Sequence, residues 1–225
     1  MLVNNKQEFG PLVDSIHGQL ANFDLQGLTM VSSSSFQTQS IPLLHILSQY
    51  EKEIEIVFLD TGFLFPETHA FRKQLVRDLG LKVRIARSDI PHSQQKNSEG
   101  IFYYNSDTDY CCHLNKVIPM DRIRNEYDIW ISGVRADQSS TRASFEPVMV
   151  ADNGKIRYHP MLYWTSKMVY DYIKEFDLPK HPLHDAGYKS IGCMPCTVSW
   201  ADEMNRNGRW AGQSKTECGL HTELR

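Results

Sequence analysis

The sequence predicts an α/β protein, a mostly parallel sheet flanked by helices, and three observations carry that expectation. Short apolar runs at 28–32, 54–59, 83–85 and 129–132 alternate with segments of helical period, the pattern of a sheet built from strand–helix–strand crossovers. The run 54–59 is mainly apolar, as in a strand covered on both faces. Polar residues gather directly behind the strands, at 32–40, 60–62 and 133–142, where open α/β sheets bind ligands.

Taken in order, Phe9, Leu12, Val13, Ile16, Leu20 and Phe23 recur at helical spacing and predict an amphipathic helix covering the core. The strand at 28–32 runs into small hydroxyls and amides, Ser32 to Ser40, ahead of an apolar helix from Ile41 to Tyr50. A polar loop at a helix N-terminus can receive an anion, although a serine-rich capped turn reads the same way locally. Asp60-Thr61-Gly62 closes the second strand, and Pro66 opens a helix to about Leu79. The stretch 100–109 shows no clear period and reads as loop or short helix. Behind Ile129–Ser132 come Gly133, Arg135 and Arg142, and an arginine fork suits phosphate or sulfate, though a lone arginine is as often only solvated. Asp152-Asn153-Gly154 predicts a hairpin turn, Thr165 a helix cap, and His181 and His184 beside prolines a structural loop rather than a metal site.

No repeat, linker or charge block divides the 225 residues, so 1–225 is expected to be one domain with 205–225 as a C-terminal tail. With 24 basic against 27 acidic residues and no basic cluster, charge gives no support to nucleic-acid binding. No apolar run is long enough to cross a bilayer and the start shows no apolar signal core, so membrane attachment is not expected. Five cysteines without a secretion signal read as reduced thiols of a cytoplasmic protein. A homo-oligomer is compatible with the sequence, but nothing selects its size.

The cysteines divide as four plus one: the pairs Cys111-Cys112 and Cys193-x-x-Cys196, and Cys218 between Glu217 and Gly219. Four thiolates can hold a metal centre and the fifth is left to react. A single zinc, with Zn–S of about 2.3 Å, needs all four sulfurs on one small tetrahedron, whereas adjacent cysteines tend to point apart. An iron–sulfur cubane spreads its ligands and suits the pair better. Zinc, or a redox-active C-x-x-C with buried non-ligating partners, stays open on these residues alone.

Ser33-Ser34-Ser35-Phe36, Leu59-Asp60-Thr61-Gly62, Cys111-Cys112 with Lys116, Gly133-x-Arg135, the stretch from Gly187 to Thr197 and Glu217-Cys218-Gly219-Leu220-His221 together resemble the assimilatory sulfonucleotide reductases. That resemblance implies an adenine nucleotide α-hydrolase-like fold with a mobile C-terminal tail. It implies a nucleotide site at Ser33, Ser34 and Ser35 with Asp60, Thr61, Gly62 and Gly133, and a [4Fe–4S] cluster on Cys111, Cys112, Cys193 and Cys196. Basic residues around the phosphosulfate would be Lys116, Arg135, Arg206 and Arg209, with Arg142 joining them. Cys218 would be the catalytic cysteine, with His221 beside it and Lys116 near both cluster and substrate.

The activity implied is reduction of adenosine 5′-phosphosulfate (APS) to sulfite and AMP, through an S-sulfocysteine on Cys218 released by reduced thioredoxin or a similar dithiol protein. This is a step of sulfate assimilation and cysteine biosynthesis. Glu217 would raise the Cys218 pKa, so nearby cations are expected to overcome it. Gln37 departs from the glycine of many relatives and resembles enzymes acting on the 3′-phosphorylated nucleotide (PAPS), so PAPS, or both nucleotides, is the alternative substrate. A more distant alternative, an ATP-dependent RNA-thiolating enzyme, calls for a Ser-Gly-Gly-x-Asp-Ser type loop and a basic surface, and neither is present.

Overall fold

The structure, a computed structural model, describes residues 6–199, 208–210, 215, 217 and 219–221, with the side chains of 6–8 and 221 excepted. The chain runs α1 (Lys6–Leu25), β1 (Met30–Ser33), α2 (Ile41–Ser48), β2 (Glu55–Leu59), α3 (Pro66–Leu79) and β3 (Val83–Ala86). Two short helices follow, α4 (Tyr103–Ser106) and α5 (Thr108–Cys112), and a π-helical turn over His113–Val117 leads into α6 (Ile118–Arg124). Then come β4 (Ile129–Ser132), α7 (Ser140–Ala143), the hairpin β5 (Val148–Val150) and β6 (Ile156–Tyr158), and α8 (Ser166–Glu175).

The strands form one six-stranded sheet in the order β3-β2-β1-β4-β6-β5, parallel except for the edge strand β5. Strand alternation splits its side chains into two cores. Ile56, Phe58, Ile129 and Ile131 face α1, α2 and α8 through Leu20, Leu44 and Tyr172. Val31, Val57 and Trp130 face α6 through Met120 and Ile123. The strand order reverses direction at β1: the chain moves outward through β2 and β3, then crosses to β4 on the other side. That switch leaves a crevice at the carboxyl ends of β1 and β4, the position where such sheets take ligands.

The expected helix starts hold for physical reasons that can be named. Pro66 occupies the first turn of α3, where its missing N–H costs nothing. Thr165 accepts a hydrogen bond from the Met168 N–H at 3.2 Å and caps α8. His181 is structural, its ring nitrogens hydrogen-bonded to Thr68 and to the Leu183 N–H. The segment 100–109 resolves into α4 and the start of α5, and α6 is a helix that the sequence periodicity did not single out. No helix among the described residues is long and apolar enough to cross a membrane.

Candidate active site and cysteine chamber

A cleft open to solvent lies at the carboxyl ends of β1 and β4, where such sheets take ligands. Ser33, Ser34 and Ser35 form one wall and Gly133 the floor, while Lys116, Arg142 and Arg209 approach from the other elements. The first turn of α2 contributes Ser40 and Leu43, so the positive end of its dipole belongs to the same wall.

The shape of the serine loop depends on Phe36. This residue sits at φ 54°, in the left-handed region that a bulky side chain seldom enters. Its ring is fully buried, edge-on to Phe58, and its N–H donates to Ser34 Oγ at 3.1 Å. Ser35 Oγ lies 3.1 Å from Ser40 Oγ, which closes the loop onto α2. Gln37, the departure noted in the sequence, accepts the Ile191 N–H at 2.8 Å and so ties the serine loop to the segment leading into Cys193.

Four predicted site residues are not brought to the cleft. Asp60 is held by both Nε and Nη2 of Arg87, at 2.9 and 2.6 Å, and by the Gly62 N–H. Burial opposes its ionisation, but these bonds overcome that and keep the carboxyl below its usual range. Gly62, at φ 70°, lies under the His92 ring, where a Cβ would come within 2.0 Å of Cε1. Thr61 opens instead onto the cysteines. Arg135 is 1% exposed and spent on Asp137, Gln39 Oε1 and Ser166 Oγ, so it braces the serine loop against α8. Burial lowers its pKa, partly offset by Asp137.

Arg209 does line the cleft. Its guanidinium lies over the Trp210 ring at 4.5 Å and against Gly192, where an added Cβ would stand 2.4 Å from Cζ. Its Nη1 donates to Ile191 O at 3.4 Å, and its Nε is buried with no hydrogen-bond partner among the described residues. Arg142 also reaches the cleft, but its guanidinium fork grips Glu217. Arg206 and Cys218 lie outside the described residues. His221 belongs to the turn Gly219–His221, and its side chain lies outside them too.

Cys111, Cys112, Cys193 and Cys196 are all buried and reduced, and all four line one small chamber with Thr61, Asn115 and Lys116. The adjacent pair is therefore not split to opposite faces, because α5 and the wide turn after it curl both residues inward. Cys193 and Cys196 arrive on a loop fixed at both ends: the Met194 N–H donates to Phe63 O at 2.7 Å and the Trp210 N–H to Cys196 O at 3.0 Å. Thr61 Oγ1 lies 3.2 Å from Cys193 Sγ, and Asn115 Nδ2 donates to Cys111 O at 3.0 Å. Burial, reinforced by Cys193 and Cys196, pushes the Cys111 thiol up to about 11, with Asn115 and Lys116 pulling the other way. Burial likewise raises Cys196, opposed by Lys116, Arg209 and Lys215.

Such thiols ionise together only around a positive core. Among the described residues no three His, Cys, Asp or Glu side chains form a group that could hold a metal ion, although all four thiols line one chamber. The donor chemistry, four soft thiolates, suits an iron–sulfur cluster or zinc. Lys116 lines both chamber and cleft, so the two share a wall.

Fold and site together define a nucleotide-binding α/β protein whose cleft adjoins a four-thiol chamber. Residues 29–199 match the model of the phosphoadenosine phosphosulfate reductase domain, and the chain belongs to that family. An adenosine 5′-phosphosulfate reductase of Geobacillus kaustophilus is 40% identical over 198 residues, covering 87% of this chain and 84% of the relative. A phosphoadenosine 5′-phosphosulfate reductase of Gloeobacter violaceus is 40% identical over 200 residues, covering 87% and 83%. Among solved structures, a phosphoadenylyl-sulfate (PAPS) reductase from Candida auris in complex with phosphate matches with a TM-score of 0.65 at 22% identity, over 83% of this chain and 96% of that one.

Proposed function

We propose that this chain is a cytoplasmic, thiol-dependent APS reductase of sulfate assimilation. The observation that carries the reading is the adjacency of cleft and chamber through Lys116. An adenine nucleotide would lie along the serine loop with its phosphosulfate toward Lys116 and Arg209. Cys218 as thiolate attacks the sulfate sulfur, the bond from that sulfur to the bridging phosphate oxygen breaks, and AMP leaves with the electron pair. A thiolate of reduced thioredoxin then attacks Cys218 Sγ in the S-sulfocysteine and expels sulfite. Its second thiol frees Cys218 and leaves the dithiol protein oxidised by two electrons.

Each chain residue has a bounded task. Lys116 and Arg209 offset the repulsion between an anionic nucleophile and an anionic substrate, and stabilise charge growing on the departing phosphate. Ser33, Ser34 and Ser35 hold the nucleotide, and Gly133 lets it approach the sheet edge. Asp60 and Arg135 brace the walls rather than touch substrate. Cys111, Cys112, Cys193 and Cys196 would hold a [4Fe–4S] cluster, which when bound supplies a fixed charge beside the substrate anion rather than electrons.

The test is sulfite release from protein purified without oxygen, given APS or PAPS with reduced thioredoxin. Strong preference for APS is expected, and a Cys218→Ser protein should release none. Normal turnover by that variant would end the thiol mechanism. Equal or better use of PAPS would transfer the specificity to the 3′-phosphorylated nucleotide, which the relative of Gloeobacter violaceus is named for.

A further inference from the structure

Arg142 was expected to meet the substrate, yet its fork is occupied. Nε donates to Glu217 Oε2 at 2.8 Å and Nη2 to Glu217 Oε1 at 2.7 Å, while Ser139 Oγ donates to Oε2 at 3.0 Å. Arginine and glutamate are 5% and 6% exposed, so the pair is dry. It is also wired to the nucleotide wall. Arg142 Nη1 donates to Gln138 Oε1, and Gln138 Nε2 donates to Gln39 Oε1 on the serine loop at 3.2 Å. The Ser139 side chain accepts the Arg142 N–H at 3.3 Å, which fixes the short α7 that presents the guanidinium.

The other side of position 218 is anchored by packing. Gly219 lies so close to Val117 that an added Cβ would stand 3.3 Å from Cγ2. Leu220 lines the cleft and packs on the Val31, Val57 and Trp130 face of the sheet. The described residues on either side of position 218 are thus held at the cleft, Glu217 by an ion pair and Gly219 and Leu220 by apolar contacts. Burying two charges gives little net stability, because desolvation consumes most of the Coulomb gain, whereas removing one partner leaves the other stranded. A pair of this kind determines where a segment sits more than how stable the fold is.

We propose that Arg142 is a positioning residue for the tail, gripping Glu217 so that the segment carrying Cys218 is held over the nucleotide cleft. The same grip neutralises the carboxylate next to that cysteine, so Glu217 brings no unpaired negative charge toward an anionic substrate. The inference rests on the reading of Cys218 as nucleophile. It differs from that reading in giving the arginine to the enzyme's own tail instead of to the phosphosulfate.

The test compares Arg142→Ala, Arg142→Lys, Glu217→Gln and the double reversal Arg142→Glu/Glu217→Arg as holoenzymes. One readout is hydrogen exchange of peptides spanning 208–221. The other is affinity for ADP, whose β-phosphate stands in for the sulfate. Loss of charge-assisted hydrogen bonds should speed tail exchange roughly tenfold or more in both Arg142→Ala and Glu217→Gln, with the double reversal restoring protection. Both variants should shift ADP affinity alike, by less than roughly threefold, since a phosphate ligand would cost more. If Arg142→Ala weakens ADP roughly tenfold or more while Glu217→Gln exchanges and binds like the parent, the arginine is a phosphate ligand and the inference falls. Should Arg142→Ala fail to fold, the near-isosteric Glu217→Gln decides by tail exchange alone. Neither readout needs turnover: a chain that releases no sulfite but opens its tail in both variants would sink the reductase reading and leave the grip standing.

Discussion

Gln37 Oε1 accepts the backbone N–H of Ile191 at 2.8 Å, a bond spanning 154 positions of sequence that joins the serine loop to the cysteine loop. Gln37 is therefore a tie between two walls of one cleft. Gln37→Ala should cost about 1 kcal/mol or more, leaving a backbone donor unpaired, and raise KM for APS several-fold. Denaturant midpoints and steady-state kinetics check both. The ratio of APS to PAPS use should stay the same; a marked change in it would return Gln37 to the role of specificity residue.

Gly192 admits the Arg209 guanidinium, and any side chain there meets it. Gly192→Ala should swing Arg209 from the cleft and raise KM for APS by roughly tenfold, the worth of one charge-assisted contact. Iron and acid-labile sulfide in the purified variant should remain at the parent's level. Loss of iron would show that the glycine serves the adjacent Cys193 instead.

Asn115 and Gln95 exchange amide hydrogen bonds at 2.7 and 3.1 Å in the interior, and Asn115 also holds Cys111 O. Asn115→Leu strands the Gln95 amide and should destabilise the protein by about 2 kcal/mol. The Cys111 end of the chamber loosens with it, so iron should be lost faster to a chelator in air, followed by the decay of visible absorbance. A variant as stable and as slow to bleach as the parent would remove Asn115 from that role.

Burial lowers the His159 pKa to about 4, helped by Arg157 and Arg142, with a smaller opposing effect from Ser132. The unfolded chain, with a histidine pKa near 6.5, binds the proton that the folded protein refuses, so stability is full above about pH 6.5 and falls as pH drops toward 4. The loss is on the order of 3 kcal/mol. His181, likewise lowered to about 4 by burial, adds in the same window. Urea midpoints from pH 7 to pH 4 should decline, and His159→Gln should flatten the decline; an unchanged slope would mean that other groups dominate.

The sheet and the four chamber cysteines were legible in the sequence, because strand and helix periods are local and the cysteine spacing is distinctive. The hydrogen-bonded supports were not. Gln37, Gln39, Gln138 and Ser139 act through single bonds to residues far along the chain, and one amide or hydroxyl carries no period. Asp60 and Arg135 read as ligands because polar groups behind strands usually face the crevice; Arg87 and Ser166, which engage them, become neighbours only through tertiary contacts. The inward curl of Cys111 and Cys112 depends on the wide turn after α5, for which adjacent cysteines give no signal.

Phe36 holds its unusual backbone angle by burying its ring in the core against Phe58, and it does not itself line the cleft. The serine loop is thus folded into shape by the core before a nucleotide arrives. Little chain entropy remains to be lost on binding, so calorimetry of nucleotide association should show a small ordering penalty from this wall. Shrinking the Phe36 ring would enlarge that penalty and weaken affinity through a residue that does not line the cleft.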